Sequence, residues 1–144
     1  MKNLFLAVAI AFTATMTAQE EGKTKKTTIP ANVKEAFAKK YPTIKNAKWE
    51  KEGANYEAGF YLNKVETSVV ITAKGIILET ESEIEVSTLS KTVTDYVAKN
   101  YPKQKIKEAA KIVDSNNKVT YEAEVKGLDL LFDENGNFIK ATKD

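Results

Sequence analysis

Glu79, Glu81, Glu83 and Glu85 stand at every second position, alternating with Thr80, Ser82, Ile84 and Val86. On a β-strand that spacing puts four carboxylates on one face. Such a row fits a cation site, a surface for a basic partner, or the paired acids of glycoside hydrolysis. The plainer reading is a solvated, charged edge that resists sheet-to-sheet aggregation. The sequence favours it, because nothing marks one carboxylate as desolvated relative to its neighbours, as a working acid/base pair requires. A second acidic stretch, Asp133-Glu134-Asn135-Gly136-Asn137, opens like a calcium loop. Such a loop needs more oxygens after the glycine and a closing Glu, and Phe138-Ile139-Lys140 follow instead. Asn-Gly between apolar runs signals a hairpin, so a turn is expected here and no metal ligand is assigned.

Composition removes much other chemistry. The 144 residues contain no His, no Cys and no Arg. Without His there is no imidazole base and no Ser-His-Asp triad. Without Cys there is no thiolate nucleophile, no disulfide and no Cys/His zinc site. The lack of Arg counts against bidentate recognition of phosphates and bases. The net charge of +2 is too small for a uniform field that would draw in nucleic acid. Carboxylates, Lys and Tyr remain, but no spacing sets a nucleophile beside a base. No catalytic residue and no cofactor are assigned.

The aromatic residues offer a different chemistry, that of contact. Tyr61 falls on the polar side of its alternating run, beside Glu57 and Gly59, and a large aromatic on an open sheet face suits a protein anchor. Trp49 is the second candidate, with its face left open by the sequence; packing in the core or at its rim is the favoured placement. Tyr41 and Tyr101 are expected to lock helix ends onto the sheet.

The elements that would carry these residues occur twice. Ile29-Pro30-Ala31-Asn32-Val33-Lys34-Glu35-Ala36-Phe37-Ala38-Lys39-Lys40-Tyr41-Pro42 returns as Leu89 to Pro102, with Val33, Ala38, Lys39, Tyr41 and Pro42 matched sixty positions on by Val93, Ala98, Lys99, Tyr101 and Pro102. Val33, Ala36, Phe37 and Tyr41 form an apolar stripe at helical spacing, as do Val93, Tyr96, Val97 and Tyr101. Pro30 suits a first helical position, Ser87, Thr88 or Ser90 can cap the second helix, and Pro42 and Pro102 end the two helices. Alternating runs follow each helix. Strands are expected near 46–52, 54–62, 65–73 and 76–84, then near 106–114, 117–126, 128–133 and 137–142. Tyr56-Glu57-Ala58 matches Tyr121-Glu122-Ala123, and Ile71 to Leu78 matches Phe132 to Ile139. Short loops favour antiparallel pairing. A unit of some sixty residues has a marginal core by itself, whereas two units joined in one layer hide an edge strand apiece. The expected fold is α+β: two tandem helix-plus-four-strand antiparallel units, at 29–85 and 86–144, with the helices on one face and water on the other.

The start of the chain reads as an export signal. Lys2 precedes an apolar run from Leu4 to Phe12, and small polar residues lead to Ala18. The run is too short to span a bilayer. Cleavage is expected after Ala18, although Met16 is unusual so near the bond; removing Lys2 takes the net charge from +2 to about +1. No Cys follows for lipid attachment. Residues 19–28 are polar and read as a disordered tether, with Lys23, Lys25 and Lys26 beside Glu20 and Glu21. The expected location is periplasmic or secreted.

The signal-like start, Ile-Pro-x-x-Val-x-x-Ala-Phe-x-x-x-Tyr-Pro at 29–42, Ala47-Lys48-Trp49-Glu50 and Tyr56-Glu57-Ala58-Gly59-Phe60 together resemble the PepSY-like family, also described as β-lactamase-inhibitor-like. The second copy departs from the pattern: Ser90 replaces Pro30, and nothing matches Trp49. The resemblance implies a helix packed on four antiparallel strands, repeated, in a non-catalytic periplasmic protein. It carries no residue for inhibition onto this chain. The expected function is a binding module that takes an unknown protein or peptide on its open sheet face, with Tyr61 and Trp49 as anchors. The alternative is a small-ligand or calcium carrier using the acidic strand or a cleft between units.

Overall fold

The computed structural model describes residues 28–143. The signal-like segment 1–18 and residues 19–27 of the tether lie outside the described residues. Helix α1 spans Ala31–Lys40 and α2 spans Lys91–Asn100. Eight strands follow the chain: β1 Lys48–Glu52, β2 Asn55–Leu62, β3 Val65–Thr72, β4 Ile77–Ile84, β5 Glu108–Asp114, β6 Val119–Val125, β7 Leu128–Asp133 and β8 Phe138–Thr142. They form one sheet in the order β1 to β8, every neighbour antiparallel. The duplicated helix-plus-four-strand architecture expected from the repeat is present. The two halves join through β4 and β5, so neither keeps an exposed edge there.

Both helices end as the prolines require. Tyr41 (φ −126°, ψ 63°) and Tyr101 (φ −128°, ψ 56°) leave helical geometry just before Pro42 and Pro102. The starts differ. Pro30 lies one place before the first helical residue, and its carbonyl accepts from Lys34 N–H at 3.2 Å. Ser90 Oγ caps α2 by accepting from Val93 N–H at 3.4 Å.

Each helix buries its stripe against its own half of the sheet. Val33, Phe37 and Tyr41 pack on Ala58, Phe60, Val69 and Ile71. Val93 and Val97 pack on Ala109, Ala123, Val125, Leu130 and Phe132. Cross-strand register puts both sets on the same side: Thr67 pairs with Ser82, Ser82 with Lys111, and Lys111 with Tyr121. A register shift also repeats, at Val70/Ile71 and at Leu131/Phe132, and such bulges increase local twist.

The turns carry the duplication too. Gly75 and Gly136 both have φ near +82°, a conformation glycine adopts without steric cost. Each lies against the start of a helix: an added Cβ would sit 2.7 Å from Asn32 O in the first case and 2.7 Å from Ser90 Oγ in the second. The Asp133–Asn137 segment is a hairpin turn, as expected. Asp133 Oδ1 accepts from Asn135 and Asn137 N–H at 2.9 and 2.8 Å, and Oδ2 from Asn137 Nδ2 at 2.9 Å. The Asn137 side chain, followed by its backbone N–H, holds this carboxyl below its usual range.

Candidate functional site

Strand alternation fixes what the helix-free face carries. One cross-sheet row runs Lys48, Gly59, Ser68, Glu81, Ile112, Thr120, Asp133. A neighbouring row runs Glu50, Glu57, Val70, Glu79, Asp114. Glu83, Ala110, Glu122, Leu131 and Lys140 form a third, and Glu108, Glu124, Asp129 and Thr142 a fourth. Lys48 and Lys140 are the only lysines in these four rows. The chain has more Lys than acid in total, so folding sorts the charges and gathers carboxylates on one face.

This placement corrects the reading of Glu79 to Glu85 as a solvated edge: Glu83 and Glu85 are exposed as expected, but Glu79 is half-buried and Glu81 buried. Strand β4 is a central strand, paired on both sides. Glu81 is only 5 % exposed, and Glu57, Glu122, Glu124 and Asp129 are buried as well. Glu85 lies past the end of the strand, before a short 3-10 turn at Val86–Thr88. The expectation of a uniformly water-facing second side also needs correction. Among the described residues no helix covers that side, yet long side chains on neighbouring strands crowd it; Ala110, between Glu83 and Glu122, is fully buried.

Burial and mutual repulsion hold Glu57, Glu79, Glu81 and Glu108 in their neutral form to higher pH than is usual for a carboxyl. Glu57 is pushed up to about 7, first by desolvation and then by Glu52, Glu50 and Glu79, against a hydrogen bond from Ser68 that favours ionisation. Glu81 is raised well above the usual carboxylate range by burial, then by Glu122, Glu57, Glu79 and Asp129. Glu79 and Glu108 are also raised, desolvation leading in both. Lys107 Nζ approaches Glu124 Oε1 at 3.1 Å. Among the described residues, no three carboxylates gather closely enough to hold a metal ion.

A cavity of about 740 Å³ opens at the β1 end of this face. Its origin is local. Strand β1 begins at Lys48, opposite Gly59, so Phe60, Tyr61 and Leu62 of β2 run on beyond it. Gly59 adds no side chain, and nothing lies within 4 Å of where its Cβ would be. Phe37, Ile44, Trp49 and Phe60 supply an apolar wall, Glu50, Glu57, Tyr61, Glu66, Glu81 and Glu83 supply a polar one, and Lys34, Lys45 and Lys48 line it as well.

The two aromatic candidates line this cavity from opposite sides of the sheet. Trp49 pairs with Ala58 on the helix side, and its ring meets Phe37 edge-on at 5.2 Å. Tyr61 lies on the helix-free side, 60 % exposed, and its hydroxyl donates to Glu66 Oε2 at 3.1 Å. That bond raises the phenol's pKa. Reasoning from sequence overlooked Glu57, Glu81 and Glu122 as the central groups. A signal was available for two of them: the Tyr-Glu-Ala repeat places a carboxylate at the same point of both units.

The sequence profile of the beta-lactamase-inhibitor-like, PepSY-like family matches residues 15–79 and 54–140. This chain belongs to that family. Comparison with curated proteins gives no match. Among solved structures, similar folds include a Bacteroides eggerthii protein named as periplasmic (TM-score 0.71, 18 % identity, 81 % of this chain and 90 % of that one). A DUF2874 family protein from Bacteroides ovatus gives 0.69 at 19 % identity, covering 81 % and 89 %. A BLIP-like protein from Bacteroides fragilis gives 0.65 at 22 %, covering 82 % and 89 %. At such identities the likeness is one of fold. It places this PepSY-like chain among sheets of the same duplicated design. Among the described residues no helix is long and apolar enough to cross a membrane.

Proposed function

We propose that the protein is a non-catalytic binding module, exported to the periplasm or beyond, that holds a protein or peptide on the helix-free face of its sheet. One observation carries this reading: like charges stand directly opposite one another on that face, as in Glu50–Glu57, Glu79–Asp114 and Glu124–Asp129. Each such pair costs roughly 0.2–1 kcal/mol, and they lie away from the sheet edges where charge would deter aggregation, apart from the first. A face that weakens the fold is expected where it serves recognition. Tyr61 is the exposed aromatic of this face and its first contact residue. Trp49 supports the apolar wall of the cavity rather than the open face.

Affinity capture from envelope extract tests the reading. Wild type and a Glu35→Ala control on α1 should recover the same partner, and Tyr61→Ala should lose it. Equal recovery by Tyr61→Ala removes Tyr61 from the account. A calcium carrier predicts something else, a rise of several degrees in Tm at millimolar calcium, since a ligand that binds only the native state stabilises it.

A further inference from the structure

The helix-free face has a chemical preference that its shape alone does not express. Glu81 is 5 % exposed and lines the cavity, and no cation or hydrogen-bond donor meets its carboxylate among the described residues. The groups that face it deepen the difficulty. On β2 it meets Glu57, on its own strand Glu79, on β6 Glu122 and on β7 Asp129. Ser68 from β3 and Ile112 from β5 stand directly beside it. A buried carboxylate is normally matched by a donor or a cation. Here the match is absent, and the cavity gives access from solvent.

We propose that this face docks a lysine-rich polypeptide segment, one of whose ammonium groups enters the cavity beside Glu81 and Glu57. This deepens the binding-module reading and rests on it. Charge complementarity selects the occupant: five carboxylates line the cavity against Lys34, Lys45 and Lys48, and the rows beyond it add only Lys140 to their acids, so the face attracts a cationic chain and repels an acidic one. The cavity selects its form. An ammonium on a flexible apolar stem can lay its methylenes against the Tyr61 ring, which lines the cavity on this face, while its charge reaches the carboxylates. The free stretch of β2 at Phe60–Leu62 leaves room for the extended backbone to pass. A bare divalent ion fits less well, because it needs several oxygens converging at about 2.3–2.6 Å.

Fluorescence anisotropy with a labelled oligolysine, on the full mature chain, tests the assignment. Wild type should bind and an oligoglutamate probe should not. Glu81→Gln should weaken oligolysine binding about tenfold and flatten the rise of affinity between pH 5 and pH 8, while Glu35→Gln on α1 leaves it unchanged. Gln matches the protonated carboxyl in size and the protein should stay folded; a melting curve checks this, and Glu57→Gln provides a second variant at the same cavity. Equal oligolysine affinity in wild type and both variants overturns the proposal. So does equal weakening by Glu35→Gln, which marks diffuse attraction, or competition by millimolar calcium in place of oligolysine binding. A Lys23, Lys25, Lys26→Gln chain that binds oligolysine far more tightly than wild type shows that the protein's own tether occupies the face, and overturns a partner in trans. Failure here with Tyr61-dependent capture intact removes the lysine assignment and leaves the binding module standing.

Discussion

Replacing Glu57 by Gln should stabilise the protein at pH 8 and do little at pH 4.5. Folding moves this carboxyl from an ordinary 4.5 up to about 7. Between those values the folded protein holds a proton that the unfolded chain releases. Unfolding is then favoured by rising pH, so wild-type stability falls from pH 4.5 to pH 7 and levels off above it. At about 1.4 kcal/mol per pH unit the full effect is at most about 3.4 kcal/mol. Water reaches part of the group, and screening reduces the expected effect to about 1–2 kcal/mol. Gln carries no such proton, so the variant loses this share of the pH dependence and keeps only that of the other raised carboxyls. Any packing difference between Gln and protonated Glu appears equally at both pH values and cancels. Urea unfolding of both proteins at pH 4.5 and pH 8 gives the double difference. A gain of about 1–2 kcal/mol that exists only at pH 8 is expected, worth several degrees in Tm. A gain of the same size at both pH values, or none at pH 8, would refute the claim that Glu57 is desolvated among carboxylates.

Further predictions concern the frame that holds this face. Phe132 is fully buried and meets Tyr96 and Phe138 at 5.5 and 5.8 Å; Phe132→Ala should cost about 3–5 kcal/mol in urea unfolding. Gly136→Ala should cost about 2–3 kcal/mol, since φ is +82° and the new Cβ would press on Ser90 Oγ at 2.7 Å. Gly53→Ala provides the contrast: φ is +55° but the space is open, so a loss of about 1 kcal/mol is expected, and equal losses at both glycines would contradict the close approach at Gly136.

The sequence by itself determined the frame. Prolines at 42 and 102 ended the helices because proline excludes helical geometry from the residue before it, and the stripes at Val33–Phe37 and Val93–Val97 followed from helical spacing. Alternation from Tyr56 to Leu62 and from Val119 to Val125 revealed strands, because side chains on a pleat alternate strictly. These are local rules, and the repeat stated each of them twice. The candidate site was only partly legible. Tyr61 was assigned to the polar side of its strand from alternation alone, and Trp49 was left without a face because β1 is short and carries a charge on either side of it.

What tertiary structure alone decided is which strands become neighbours, and so which charges meet. The row from Glu79 to Glu83 read as an edge because an edge is where a charged strand is cheapest. The eight-strand order instead puts β4 in the middle, with Glu57 two strands away on one side and Glu122 two strands away on the other. Desolvation depends on those distant neighbours and not on the residues adjacent in sequence. A chain with nearly balanced charge thereby acquires one face of crowded, partly neutral carboxyls, and the physical reason is the pairing of β4 with β5.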